Sequence, residues 1–287
     1  MTAITLQSKI VKKYIPARKT KSRKGDNGTV LIVGGSYIYH GAPILSSLAA
    51  LRSGSDLVYT CVPKINAQAT RALSPNLIVL PLVDSKLTRG AANKLLGQIP
   101  HGLDSATIGM GLAIKDIESL KTLLTPLLKS DIRLSLDASA LVNGILPILQ
   151  NQNVVVTPHV GEFKRMFGDI PADSMKERIS IVEKHAKKNS LTILLKGPTD
   201  IISDGKKTFL NPKKTPAMTV GGTGDVLSGI VAAFLARNRN PLESASAAAF
   251  VNGLAGKLVQ RKLGLHMVAS DLVDVLPSIL KPFDRIK

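Results

Sequence analysis

The chain has 287 residues, 44% of them apolar, and a formal charge of +18. That length buries a core without disulfides or structural metals, and the single cysteine, Cys61, excludes a disulfide framework and a thiolate zinc site. No apolar run approaches a membrane span and no signal-peptide core is legible, so a reducing, cytoplasmic setting is expected.

Eight basic residues fall between Lys9 and Lys24, with no acid before Asp26. Residues 1–24 read as a solvated basic lead-in; an RNA-touching arm and a cleaved targeting segment are the other readings. Residues 29–33 are a β-branched run closed by Gly34-Gly35, the pattern of a buried strand entering a turn. A helix rich in Ala, Ser and Leu is predicted over 43–52. Further strands are predicted at 57–62, 77–83, 106–108, 133–136, 154–157 and 192–195, with helices at 116–129 and 174–188 between them. The last quarter carries helical spacing at 225–237, 241–263 and 270–280. Strands that are apolar throughout and alternate with helices predict a mostly parallel sheet covered on both faces. No linker, repeat or low-complexity tract interrupts residues 1–287, so one α/β domain is expected.

Ligands in such sheets sit beyond the carboxyl ends of the strands, and several strand ends here are glycine-rich or polar. The sharpest is Gly221-Gly222-Thr223-Gly224-Asp225, followed by the apolar stretch Val226-Leu227-Ser228-Gly229-Ile230-Val231. Its glycines let consecutive N–H groups face a phosphate at a positive helix end, and Asp225 stands where it would take a proton from an attacking hydroxyl. Read more plainly, Asp225 caps the helix and the glycines only turn the chain. In Thr157-Pro158-His159-Val160-Gly161-Glu162, His159 and Glu162 straddle a probable helix start; the pair is either a site or scaffold for the first turn. Lys196-Gly197-Pro198-Thr199-Asp200 follows an apolar strand, and is either an approach to a nucleotide or a hairpin with a surface lysine. Gly34-Gly35-Ser36 and His40-Gly41-Ala42-Pro43 bracket the first strand-to-helix connection, and Gly109-Met110-Gly111 and Asp137 end other strands. Neither a P-loop nor a dinucleotide fingerprint is present.

Taken in order, these motifs resemble the ribokinase-like superfamily and, within it, the ADP- or ATP-dependent NAD(P)H-hydrate dehydratases. The matching pieces run from Lys24-Gly25-Asp26-Asn27-Gly28 through Gly34-Gly35-Ser36, Gly41-Ala42-Pro43, Gly109-Met110-Gly111, Asp137-Ala138, His159 to Glu162 and Lys196-Gly197 to Gly221–Asp225. The resemblance implies a three-layer α/β/α sandwich, and repair of the (6S) hydrate to NADH or NADPH at the expense of ADP or ATP. It makes Asp225 the base and Gly222, Thr223 and Gly224 the anion hole. Hydrate contacts fall on Ala42, Gly111, His159 and Asp225, and nucleotide contacts on Lys196, Gly197, Pro198, Thr199, Asp200 and Gly224. Glu162 corresponds to the acid that organises a Mg²⁺–water shell, in keeping with oxygen ligation.

The chain departs from many relatives in Met110 for a proline, Ser139 for an acid, Asn252 for a histidine, and Pro198-Thr199-Asp200 in the nucleotide stretch. The last difference leaves ADP and ATP both open. The resemblance further implies a separate epimerase for the other hydrate epimer, and a homo-oligomer for which Ala/Ser-rich residues 241–253 offer a packing face. The alternatives are a hydroxyethylthiazole or hydroxymethylpyrimidine kinase and, in another class, a nucleic-acid-binding protein drawn by the charge. The basic residues are scattered and not interleaved with stacking aromatics, and a steep fall of affinity with salt would mark that class.

Overall fold

Strands that are apolar on both faces need cover on both sides, and the architecture supplies it. The structure, a computed structural model, describes residues 3–170 and 174–287. Its strands are β1 (Ile4–Thr5), β2 (Thr29–Val33), β3 (Leu57–Pro63), β4 (Ile78–Leu82), β5 (Ser105–Ile108), β6 (Arg133–Leu136), β7 (Val154–Val156), β8 (Thr192–Leu195), β9 (Thr199–Ser203) and β10 (Thr208–Pro212). The first helices are α1 (Ser8–Tyr14), α2 (Gly41–Arg52), α3 (Lys64–Leu73), α4 (Arg89–Leu96), α5 (Ile117–Lys129) and α6 (Leu146–Leu149). They are followed by α7 (Val160–Phe167), α8 (Met175–Asn189), α9 (Thr223–Arg237), α10 (Pro241–Leu263) and α11 (Ala269–Leu280).

The strands form one sheet in the order β1-β10-β9-β8-β7-β6-β5-β2-β3-β4. Only β9 runs antiparallel to its neighbours, β8 and β10. Side chains alternate across each strand, so Leu31, Val33, Ala106, Ile108, Leu134 and Leu136 pack with α4, α5, α7 and α8 in one core. Val30, Ile32, Val58, Val155 and Leu194 face the opposite layer, which includes α2, α9, α10 and α11. This is the expected α/β/α sandwich.

Helix α9 is apolar all round and buried from Val226 to Ala236, as a central helix must be. It crosses α2 so closely that a Cβ on Gly229 would lie 2.0 Å from the carbonyl oxygen of Ser46. Gly229→Ala should therefore destabilise the protein by about 1–3 kcal/mol through overpacking. An unchanged melting temperature would show that α2 yields freely.

Two expectations are qualified here. Over residues 3–24 the basic lead-in keeps its lysines in solvent but is also anchored to the fold: β1 pairs with β10, and Leu6, Val11 and Ile15 are buried. The small residues of 241–253 offer little face to another subunit, because Leu242, Ser244 to Ala249, and Val251 to Gly253 are buried within the chain's own fold.

The chain runs β2-β3-β4 to one side and then returns so that β5 pairs with β2 on the other. That reversal opens a crevice at the carboxyl ends of β2 and β5, where Gly34-Gly35-Ser36 and Gly109-Met110-Gly111 lie. Gly35 N–H donates to Met110 O at 2.9 Å, and Gly109 N–H to Val33 O at 3.0 Å. Gly109 has φ +124°, and a Cβ there would lie 2.0 Å from Asp137 O, so only glycine fits.

Candidate active site

The mouth of α9 is the centre of the site. Gly222 holds the capping position with φ +95°, and a Cβ on it would meet Ala269 Cβ at 2.7 Å and Leu45 Cδ1 at 2.8 Å. No side chain caps this helix end, and the helix's own bonding begins with Val226 N–H to Gly222 O. The N–H groups of Thr223, Gly224 and Asp225 precede that bond and carry the positive end of the helix dipole. Thr223 turns its hydroxyl back, donating to Met218 O at 3.1 Å or Val220 O at 3.3 Å, so its contribution at the mouth is its backbone. Asp225 lies inside the first turn rather than at the cap.

Two cavities meet this turn from different sides. The smaller, about 410 Å³, is walled by Ser36, Tyr39, Ala42, Gly111, Ser139 and Asp225. Ser139, standing where an acid was expected, ties the Gly109–Gly111 turn: its hydroxyl lies 2.7 Å from Gly109 O and 2.6 Å from Leu112 O. The larger, about 720 Å³, is lined by His159, Lys196, Gly197, Pro198, Thr223 and Gly224. Its far wall is built by Lys213, Pro216, Met218, Leu227 and Asn252.

Between the cavities sits a charged cluster. Asp137, at the end of β6, accepts from Lys196 Nζ at 2.8 Å, Ser228 Oγ at 2.8 Å and Thr157 Oγ1 at 2.9 Å. Burial alone would raise its carboxyl, but Lys196 and the two hydroxyls hold it below the usual carboxylate range. Burial likewise opposes the charge on Lys196, yet Asp137 and Glu162 keep the ammonium above its ordinary value. Glu162 Oε2 lies 3.5 Å from Lys196 Nζ. Asp225 is pushed up to about 7, first by burial and then by repulsion from Asp137, with Lys196 partly offsetting and Glu162 adding to the rise. A carboxyl with a pKa near 7 is suited to accept a proton at neutral pH.

His159 and Glu162 form a reciprocal cap on α7. His159 Nδ1 accepts from the N–H of Gly161 at 3.0 Å and of Glu162 at 3.2 Å, and Glu162 Oε2 accepts from His159 N–H at 2.8 Å. The scaffold reading of this motif is thus realised, while Glu162 also reaches the charged cluster. His159 lines the larger cavity with the lysine segment, apart from Ala42, Gly111 and Asp225, which share the smaller one.

The hairpin reading of residues 193–202 is also realised, but its lysine is half-buried in the ion cluster rather than free at the surface. Pro198 faces the larger cavity, whereas Thr199 and Asp200 belong to β9 and do not line it. Asp200 points inward and accepts from Lys213 Nζ at 2.7 Å, Gly197 N–H at 3.1 Å and Asn211 Nδ2 at 3.1 Å. Its place is under the Gly197–Pro198 turn, holding the turn and Lys213 in register.

Among the described residues no group of three or more His, Cys, Asp or Glu side chains is arranged to hold a metal ion. No helix is long and apolar enough to cross a membrane, again among the described residues.

A family profile for NAD(P)H-hydrate dehydratase matches residues 30–278, a span that includes both cavities and the charged cluster between them. The chain belongs to the NAD(P)H-hydrate dehydratases. Across 286 residues and the full length of both chains it is 67% identical to an ADP-dependent (S)-NAD(P)H-hydrate dehydratase of Nitrosopumilus maritimus. A solved structure of the ADP/ATP-dependent NAD(P)H-hydrate dehydratase from Bacillus subtilis, co-crystallised with ATP/Mg²⁺, superposes with a TM-score of 0.85 at 27% identity. It covers 99% of this chain and 100% of that one. A hydroxyethylthiazole kinase protein from Pyrococcus horikoshii superposes with a TM-score of 0.63 at 15% identity over 95% of this chain and 94% of that one, a likeness of fold alone.

For this dehydratase family member, sequence reasoning missed the far wall of the larger cavity. Lys213 and Met218 carry no local motif, Leu227 was read only as part of the apolar helix after Asp225, and Asn252 was noted only as a departure. They meet because α10 and the segment before Gly221 fold over the sheet.

Proposed function

We propose that this dehydratase uses ADP or ATP to phosphorylate the ring hydroxyl of (6S)-NAD(P)H hydrate and then eliminates phosphate, returning NADH or NADPH. One observation carries the reading. The first turn of α9 presents Asp225 to the smaller cavity and the Gly224 and Thr223 segment to the larger. A donor phosphate and an acceptor hydroxyl on either side of one helix mouth stand in the relation that phosphoryl transfer requires.

In this reading the hydrated ring lies against Ala42, Gly111 and Asp225. Asp225 takes the proton of the ring hydroxyl as its oxygen attacks the terminal phosphorus, and ADP leaves as AMP or ATP as ADP. The ring nitrogen's lone pair then expels phosphate from the adjacent carbon, and loss of the neighbouring ring proton restores the double bond. The amides of Gly222, Thr223 and Gly224 stabilise the charge of the transferring group, as preorganised donors do at a developing anion. Lys196, Gly197 and Pro198 hold the nucleotide from the β8–β9 turn, with Asp200 supporting the turn from beneath and His159 at the rim.

Mg²⁺ bound with the nucleotide would share the phosphate charge, and such an ion keeps several waters and takes few protein ligands. Glu162 fits that role through a water: among the described residues its Oε1 meets only the His159 ring, at 3.4 Å. The protein is proposed to work in the cytoplasm as a homo-oligomer, with a separate epimerase supplying the hydrate epimer it accepts.

The test is to supply hydrate and Mg²⁺ with ADP, with ATP and with neither, and to follow the reduced-nicotinamide absorbance. Recovery is expected only with a nucleotide. Recovery in its absence, or none with either nucleotide, would remove this reading.

A further inference from the structure

A third hollow opens beside the smaller cavity, across the bend at Tyr37-Ile38. It measures about 630 Å³ and is walled by Tyr37, Lys64, Ile65, Val83, Asp84 and Ser85. The bend is closed by Tyr39 N–H, which donates to Ser36 Oγ at 3.1 Å. Ser36 and Tyr39 line the smaller cavity, so one short loop borders both spaces.

The other walls of the hollow are tied to the smaller cavity as well. Asn66, on the same turn of α3 as Lys64 and Ile65, donates from Nδ2 to Ser36 O at 2.8 Å. Leu87 N–H, just past the 83–85 segment, donates to Ala113 O at 2.7 Å, and Ala113 lines the smaller cavity. A Cβ on Gly111 would lie 2.8 Å from Tyr39 Cβ, so the loop is seated on the Gly109–Gly111 turn. Lys64 and Val83 directly follow β3 and β4. The hollow therefore adjoins the site on the ligand side of the sheet.

Its surface is unusually apolar. Tyr37, Ile38 and Tyr39 are 73%, 74% and 65% exposed, and Ile65, which shares the hollow with Tyr37, is 63% exposed. Single exposed apolar side chains are ordinary, but a contiguous group marks a binding surface.

The substrate says what covers it. NAD(P)H hydrate, on which this family acts, is a dinucleotide. A cavity of about 410 Å³ beside Asp225 is near the small end of the range for one compact ligand and does not enclose two linked nucleotides. The larger cavity is taken by the phosphate donor, which leaves the adenylate half of the substrate to the hollow across the loop. Adenine has a flat face that stacks on a tyrosine ring. The pyrophosphate is anionic, and Lys64 brings an ammonium. Asp84, whose Oδ2 accepts from the Thr88 hydroxyl, suits a ribose hydroxyl rather than a phosphate.

We propose that this hollow binds the adenylate half of the hydrated dinucleotide, with adenine stacked on Tyr37 and Lys64 beside the pyrophosphate. This rests on the hydrated ring lying against Asp225 in the smaller cavity. Tyr37 is then a substrate-binding residue remote from the bond-making step.

The experiment compares NADH hydrate with the hydrate of reduced nicotinamide mononucleotide, which keeps the reacting ring and lacks the adenylate half. Turnover of each is followed with Mg²⁺ and ADP, and separately ATP, on the wild type, Tyr37→Ala and Tyr37→Phe. Stacking of a base on an aromatic ring is worth about 10-fold or more, so the wild type should favour the dinucleotide by that factor in kcat/KM. Tyr37→Ala should lose about 10-fold on the dinucleotide through KM with kcat held, the mark of a contact made equally before and during reaction. Tyr37→Phe retains the ring and should retain the preference. Lys64→Gln, on another wall, gives the same comparison should the alanine variant fail to fold. Light scattering on each protein reports its assembly.

A folded Tyr37→Ala that keeps the wild-type preference overturns the assignment. So does a wild type that turns over both hydrates equally, which leaves the dehydratase reading in place. An alanine variant with a changed oligomeric state gives the patch to an interface between copies and also overturns it. If the wild type restores neither hydrate with either nucleotide, the function reading falls and this inference falls with it.

Discussion

Replacing Asp225 by Asn is expected to leave the fold intact and to lower kcat by about 10²–10⁴-fold, the range contributed by a positioned general base. The amide keeps the shape of the carboxyl but cannot take the proton of the ring hydroxyl. In the wild type, kcat/KM should rise as pH increases through about 7, where the buried carboxyl ionises. The same group also governs stability. Its folded pKa, about 7, stands above the ordinary 3.8, so between those values the folded state holds more protons than the unfolded state. Its contribution to stability is therefore lost as pH rises through that window. Asp225→Asn escapes that loss and should be more stable than the wild type at pH 8, with the gap closing towards pH 4. Denaturant titrations at several pH values measure this directly. A variant that turns over at the wild-type rate removes Asp225 from the base role.

Lys196→Met is the second large effect, and it strikes the fold as well as the chemistry. The ammonium is bonded to Asp137, which is only 2% exposed, and lies beside Glu162. Its removal leaves a buried carboxylate without its counter-ion, a loss of about 3–5 kcal/mol. The deficit should shrink at low pH, because the stranded carboxyls can then be protonated. Asp137→Asn added to Lys196→Met should restore part of the stability at pH 7 without restoring turnover. Denaturation midpoints and hydrate turnover on the single and double variants check both halves. A single variant as stable as the wild type would mean that the ion pair contributes nothing.

Much of this site was legible because its backbone demands show in the sequence. Gly221–Asp225 before an apolar helix read as a phosphate-facing turn, and the structure leaves that helix mouth uncapped. The strands of the parallel core are legible because they are mostly apolar and several end at glycine or a polar residue, as at Gly34, Gly109 and Asp137. The sequence reading of a hairpin stops at residue 202, so it takes in β8 and β9 but not β10, although Asp204-Gly205 is a strong turn signal. Gly205 takes φ +80°, and Asp204 Oδ1 accepts from the N–H of Lys206 and Lys207 there. Helix α1 was hidden by its lysines, which cover the surface side of a segment whose Val11 is fully buried.

Other features were beyond any local reading. Lys196 and Asp137 are 59 positions apart, and nothing around either residue announces the other. Successive strand residues point to opposite sides, so Thr199 and Asp200 could not both face one cavity. Motif membership also misleads about contact. The Lys24–Gly28 segment that helped to mark the resemblance is a turn held by Asp56, whose Oδ2 accepts from Gly25 N–H, Asn27 N–H and Asn27 Nδ2. Its hydrogen bonds anchor the entry to β2.

The two rims of the sheet constrain how copies of this chain can associate. An open strand edge invites another strand to pair with it. At one rim, β1 is only two residues long. At the other, β4 carries Pro81, which has no N–H to donate, and Arg71 reaches over to the carbonyl of Val79. Among the described residues neither rim offers a long uninterrupted ladder, which favours helix and loop surfaces over a lengthened sheet for any contact between copies.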